Sequence, residues 1–337
     1  MSSLKNLALR AGALSPVQGL LGISRRRGLS TVLFHRFFFG NEQRKVARDR
    51  LLRQLDWLRR EYSPISLNQA GAVLDQLEWS KPPLLVTVDD AIVDLLEVAE
   101  DFRSFEIPIG LFVCAGWTAQ ADSHDPDSLL ARVISEIEWY DGPATRVIFD
   151  GGRREVSLER SCRAESIDAL LAERIEVSGS LDELAEKLRA LQLNRGASTI
   201  CNWQQLAELK KFGVDMGSHS VTHIRLAPAS ALRRSFEIGE SKRLLDAKLG
   251  GCNAFAYPYG DDDVVSNVTS AELQAAGFDL AFLTHAEFSD HMTSRLHLPR
   301  FSLPDRDMTM SEFQSRVEGG GIALRRLKAL LTPAKHH

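Results

Sequence analysis

No stretch of this chain approaches the roughly 18 consecutive apolar residues that a bilayer-crossing helix needs, so no transmembrane segment is expected. Cysteine is scarce. Cys114, Cys162, Cys201 and Cys252 stand far apart with no Cys-x-x-Cys pair, which argues against a disulfide framework and against a thiolate zinc site. A reducing compartment fits that pattern. Neither sign of charge is in large surplus: 41 Lys and Arg face 45 Asp and Glu, for a net charge of -4. That balance gives no bulk electrostatic reason to bind nucleic acid or an anionic membrane. The opening MSSLKNLALRAGALSPVQGLLGISRRRG lacks a continuous apolar core behind a basic cluster, so it is not read as a signal peptide and a cytoplasmic location is expected. Residues 4–21 could form a helix resting weakly on a membrane surface. Internal repeats and low-complexity tracts are also missing.

What is present is apolar patterning sufficient for a large core. With 337 residues and 44% hydrophobic content, the chain can build one large α/β domain or two small ones. Residues 31–39 (TVLFHRFFF) read as a buried strand entering a loop, and Leu51, Leu52, Leu55 and Leu58 follow at helical spacing. The same order recurs at 84–88 (LLVTV), with a helix through Leu95, Leu96, Ala99 and Phe102, and then a strand at 107–114 (IPIGLFVC). Asn202 and Gln205 form a candidate capping box for a helix ending near Gly213, followed by a strand at 214–217. A helix over 230–249, a strand at 254–257, and a final helix and strand ending at 284 complete the series. Near-continuous apolar strands alternating with helices predict a parallel sheet covered on both faces, and their number makes a (β/α) barrel plausible. An open doubly wound sheet is the alternative, because closure depends on strand count and shear.

The rhythm breaks over 118–198. This stretch holds SHDPDS, a β-like RVIFDGGRREVSL, and an amphipathic helix from Ser180 with Leu181, Leu184, Leu188 and Leu191 on one stripe. It is read as an inserted α+β segment, a lid or substrate platform rather than a linker. The division is then an N-terminal helical extension at 1–30, the first part of the barrel at 31–117, the insertion at 118–198, the second part at 199–310, and a C-terminal helix and tail at 311–337.

Four polar clusters stand where strands end: Asp89-Asp90, His219-Ser220-Val221-Thr222-His223, Tyr257-Pro258-Tyr259-Gly260, and Thr284-His285. Parallel α/β folds build their sites at that edge of the sheet. Asp90, His219 and His223 can offer a divalent metal three ligands and leave positions open, as in a catalytic site. Residues four apart face the same way on one helical turn or across a tight loop, which suits the two histidines. Adjacent strand-end aspartates point in different directions, so Asp89 can take a proton while Asp90 binds metal. Taken singly each cluster has a bland explanation: a loop start, a surface helix, a turn. All of them in order, each after a strand, are much harder to assign to chance.

These motifs are recognisable. VTVDDA (86–91) resembles the Thr-Phe-Asp-Asp-Gly motif of the polysaccharide deacetylase family, the NodB-homology or carbohydrate esterase family 4 domain. GSHSVTH (217–223) is similar to its His-Ser/Thr-x-x-His motif, and FAYPYG (255–260) to its Pro-Tyr-Gly motif. LFHRF (33–37) and LPRF (298–301) resemble further recurrent segments. The resemblance implies a distorted (β/α) barrel and metal-dependent deacetylation of sugar amides or esters, with zinc the first-choice ion and an acetylated saccharide as partner. It also implies Asp89 as base, Asp90, His219 and His223 as ligands, and the Tyr259 amide in an oxyanion hole. The family's Leu-x-His acid corresponds to His285, with His297 as a rival. Val88 stands where an aromatic is usual, and Ala91 where glycine is usual, so Ala91 is expected to keep the backbone near Asp90 out of glycine-only conformations. No arginine precedes Tyr257, and Arg300 could supply that charge from another strand. An amidohydrolase for a small non-sugar amide and a catalytically silent metal-binding scaffold are the competing readings.

Overall fold

The apolar runs become the strands of one parallel sheet. The computed structural model describes residues 28–39, 43–76, 79–118, 133–134, 136–137, 144–159, 161–172, 178–192, 200–260 and 267–323. Its strands are β1 (Ser30–Phe34), β2 (Ser63–Ile65), β3 (Pro83–Asp89), β4 (Ile109–Val113), β5 (Arg146–Phe149), β6 (Arg154–Ser157), β7 (Asp215–Ser218), β8 (Ala254–Ala256), β9 (Leu280–Phe282) and β10 (Phe301–Ser302). The helices used below are α1 (Arg44–Glu61), α2 (Asp94–Ser104), α3 (Ala115–Thr118), α4 (Ser178–Gln192), α5 (Trp203–Lys211), α6 (Ala231–Leu249) and α7 (Met310–Val317).

The main sheet is eight-stranded, in the order β10-β1-β3-β4-β7-β8-β9, with β2 paired to β3. Every pair in it is parallel. One edge of β3 carries β1, while the other is shared, β2 pairing at Pro83 to Leu85 and β4 from Val86 to Asp89. Beyond β9, Leu298 bridges Phe282 in parallel, and Leu303 donates to the Leu33 carbonyl at 3.0 Å. Residues 298–303 therefore join the two ends of the curled sheet. The result is a distorted (β/α) barrel and not an open doubly wound sheet.

Local sequence explains the element boundaries. Asn202 and Gln205 cap α5 reciprocally, each side chain accepting the other's backbone N–H at 2.9 Å. Ser230 caps the start of α6, and Gly250, at φ 77°, ends it in a left-handed turn. β3 is buried along its whole length, as expected of a strand covered on both faces.

The described residues of the 118–198 segment beyond Thr118 lie outside the main sheet. Their β5–β6 pair is an antiparallel hairpin turned by Asp150, Gly151 and Gly152, all at positive φ. Leu184 and Leu188 of α4 are buried as their spacing predicts, whereas Leu191 is 46% exposed one residue from the helix end. The side chain of Leu181, the residues 123–128 and the N-terminal stretch 4–21 lie outside the described residues. The insertion's apolar core is continuous with Ile92, Cys114, Trp117 and Ile200 of the barrel. Among the described residues no helix is long and apolar enough to cross a membrane.

Candidate metal centre and active site

Asp89 is the last residue of β3, paired with Phe112 of β4, and Asp90 follows at φ 69°. The switch from extended to left-handed backbone throws the two side chains in different directions. Ala91 continues the turn at φ 55°. The expectation that Ala91 bars this conformation is wrong: the left-handed region is strained for alanine by roughly 1–2 kcal/mol, not closed to it. The turn is held from outside, since Cys201 donates to the Ala91 carbonyl at 2.8 Å and Ile92 bridges Ile200.

The two histidines sit on a loop rather than a helical turn. His219 leaves β7 still hydrogen-bonded to the Val113 carbonyl at 2.9 Å. Ser220 and His223 then take left-handed backbone, at φ 66° and 60°. The His223 N–H donates to Ser220 Oγ at 3.0 Å, closing the loop on itself.

Three ligand atoms converge there. Asp90 Oδ1 lies 3.6 Å from His219 Nε2 and 3.7 Å from His223 Nε2. Ligand atoms of Asp90, His219 and His223 all fall within 4.8 Å of one another, and the three side chains are buried. The separations exceed hydrogen-bonding distance. They are close to the roughly 3.4 Å that separates ligands held about 2.1 Å from a tetrahedral ion. His219 Nδ1 lies 2.7 Å from the Ala256 carbonyl, a bond that places the proton on Nδ1 and leaves the Nε2 lone pair toward the cluster. Burial pushes the His219 pKa down to about 4, against the pull of Asp89, and pushes His223 well below the usual histidine range, with His219 adding to the effect. Neutral imidazoles beside a carboxylate are a donor set that fits a divalent ion.

Asp89 is held separately. Arg300 donates to both of its oxygens at 2.8 Å, to the Leu283 carbonyl at 2.8 Å, and is itself fully buried. Burial alone would raise the Asp89 pKa, but the charge of Arg300, with His219 adding to it, holds the carboxyl below its ordinary value. The arginine missing before Tyr257 is thus supplied from just before β10. Ala256, in its place, gives its carbonyl to His219.

Tyr259, at φ 64°, has its ring 4.8 Å from that of His223 and the Arg225 guanidinium 4.9 Å over it. Its carbonyl accepts from Thr284 Oγ1 at 2.9 Å, which ties the Tyr-Pro-Tyr-Gly turn to the end of β9. Gly260 is required here, because a Cβ would lie 2.7 Å from the Thr284 nitrogen. His285 is exposed, and its carbonyl accepts the Arg300 amide proton at 3.0 Å. The rival His297 has Nε2 2.8 Å from Ser270 Oγ. A pocket lined by His35, Arg36, Phe39, Arg50, Gln54 and Asp305 opens at the ends of β1 and β10, one strand beyond Asp89.

Two side chains around the cluster carry no motif in the sequence. Trp117 packs against His223 with ring centroids 5.1 Å apart, and buried Glu237 grips the histidine loop from α6. Only the fold brings either of them to the site. Their one sequence signal was type: a tryptophan and a glutamate spaced with core positions of their helices.

Comparison with known proteins bears on these features. Residues 181–281, which include both histidines and the Tyr-Pro-Tyr-Gly turn, match the model of the family described as polysaccharide deacetylase. No curated protein matches the chain. The fold is similar to that of the Streptococcus pyogenes deacetylase PplD in complex with acetate, with TM-score 0.53 and 16% identity over 82% of this chain and 93% of that one. It is also similar to IcaB from Ammonifex degensii, with TM-score 0.55 and 17% identity over 87% of this chain and 97% of that one. The distorted (β/α) barrel is shared with these two structures, and the family match falls on the part of the chain that carries both histidines and the Tyr-Pro-Tyr-Gly turn. Residues 181–281 are thus similar to the polysaccharide deacetylase family.

Proposed function

We propose that this protein removes an acetyl group, N- or O-linked, from a sugar of a surface polysaccharide or its precursor, and that it does so with a divalent metal, zinc in the first instance. The observation that carries this is the buried Asp90, His219, His223 cluster beside an Asp89 kept ionised by Arg300. Bound among those three residues, the ion would supply Lewis acidity, polarising the acetyl carbonyl and making water acidic enough for a weak carboxylate base. Asp89 accepts the proton of the attacking water, and the bidentate hold of Arg300 keeps its other lone pairs directed into the cleft. The Tyr259 N–H donates to the developing oxyanion, a contribution of roughly 3 kcal/mol for one well-aimed donor. His285 delivers a proton to the leaving amine or alcohol. The pocket at β1 and β10, with aromatic and hydrogen-bonding groups one strand from Asp89, suits a neighbouring sugar. A cytoplasmic setting belongs to the same reading and is supported by four free cysteines.

The test is acetate release from a panel of N- and O-acetylated sugars and oligosaccharides, with and without a chelator, alongside elemental analysis of the purified protein. About one zinc or similar ion per chain and chelator-sensitive release from at least one saccharide are expected. Metal content unchanged by His219→Ala, or release confined to small non-sugar amides, would overturn the proposal.

A further inference from the structure

We infer that Glu237, in the middle of α6, is a positioning residue that sets the spacing of His219 and His223 for a divalent metal ion. This rests on the proposal that Asp90, His219 and His223 bind such an ion. The five-residue stretch from His219 to His223 has no helical hydrogen bonds to hold it and contains two non-glycine residues in left-handed backbone, Ser220 and His223. Left to itself such a loop relaxes, and with it the distance between the imidazoles.

Glu237 pins its centre. One carboxylate oxygen accepts the N–H of Val221 at 2.8 Å and that of Thr222 at 2.9 Å, the two residues midway between the histidines. The other meets Thr222 Oγ1 and pairs with Arg233 at 2.7 Å. The opposite faces of the same peptides are bonded to α3: Ala115 donates to the Ser220 carbonyl and Gly116 to the Val221 carbonyl, both at 3.0 Å. The peptide planes of the loop are therefore fixed from both sides, by α3 through their carbonyls and by Glu237 through their N–H groups. One turn further along α6, Ser241 Oγ lies 2.8 Å from Ser218 Oγ, so the helix is tethered to the strand end that launches the loop.

The energetics favour function over packing. Glu237 is 0% exposed, and burying a carboxylate carries a desolvation penalty that an apolar residue would avoid. Its satisfied partners are all in the histidine loop or on its own helix. It touches neither histidine ring, so it acts through the loop.

The experiment uses the full chain, with zinc affinity read by competition against a chromophoric chelator under conditions where circular dichroism shows each variant folded. Wild type, Glu237→Gln, Glu237→Ala and Leu245→Ala are compared. Leu245 is buried on the same helix, eight residues and about 12 Å away along the axis, and serves as the control for mere destabilisation. Glu237→Ala is expected to weaken zinc binding roughly 10- to 100-fold. Glu237→Gln, which keeps an oxygen for the two N–H groups but loses the charge facing Arg233, should fall between it and wild type. Leu245→Ala should lower the melting temperature while leaving zinc affinity unchanged. Both Glu237 variants binding zinc as wild type does, or Leu245→Ala weakening it as much, would overturn the inference. If Glu237→Ala fails to fold, Glu237→Gln against Leu245→Ala decides. A wild type that binds no zinc would overturn the metal proposal itself, a result separate from any difference among variants.

Discussion

Arg300 grips Asp89 with two 2.8 Å hydrogen bonds across 211 residues of sequence, and both side chains are buried. Breaking such a pair leaves an uncompensated buried charge, a change that destabilises by about 3–5 kcal/mol. Arg300→Met is therefore expected to lower stability by about that much in urea denaturation. It should also let burial raise the Asp89 pKa. In the wild type the folded pKa lies below its ordinary value, so the pair's contribution is present above that value and lost as pH falls through the folded one. The acid limb of the pH-rate profile should move to higher pH in the variant. An unmoved limb would remove Asp89 from the titrating step.

Asp89→Asn keeps size and hydrogen-bonding capacity but removes the proton acceptor. Metal content is expected to persist while turnover falls roughly 10²- to 10⁴-fold. Occupancy, melting temperature and turnover measured on one preparation separate this from a structural effect. Near wild-type turnover would sink the base assignment.

Acid should destabilise the metal-free protein early. His219 has a folded pKa of about 4, and His223 is also depressed by burial. The unfolded histidines bind protons below about pH 6.5, where the folded ones stay neutral. Stability therefore falls as pH drops below that value, by about 1.4 kcal/mol per pH unit for each group, until the folded pKa is reached. Denaturant titrations of chelator-treated protein at pH 7, 6 and 5 check the slope, and His219→Gln should flatten it.

Trimming the insertion must respect where its core ends. Trp117 packs on His223, and Ile200 bridges the residue after Ala91, so both belong to the site's support. Replacing residues between Thr118 and Ile200 by a short linker is expected to keep metal binding and to alter substrate preference. A folded, trimmed chain without metal affinity would contradict the lid or platform reading.

Ala91→Gly relieves an alanine held at φ 55°. The gain is partly offset by the greater chain entropy of glycine when unfolded, leaving a net stabilisation of a few tenths to about 1 kcal/mol. A loss of stability in thermal melts would show that the Ala91 side chain, 0% exposed, matters more through packing.

The order of strands and helices was legible in the sequence because period and caps are local properties. The capping box at Asn202 and Gln205, the β5–β6 hairpin and the buried run of β3 all follow from neighbours within a few residues. The identity of Asp90, His219 and His223 as a cluster was legible because Asp90 and His219 stand directly after strands, His223 follows four residues on, and a parallel sheet brings strand ends together. Sequence could not tell a helical turn from a loop at 219–223, since the spacing fits both. The left-handed Ser220 and His223 depend on bonds from Cys114 to Gly116 and from Glu237, all distant in the chain. Nor could it close the sheet or seat Arg300 against Asp89, because both rest on residues 298–303 meeting β1 and β9 after the whole barrel has wound. Local patterning thus determined the elements and the ligand types, and the tertiary structure alone decided distances, charge pairing and neutral histidines, because burial and long-range partners exist only once the chain is packed.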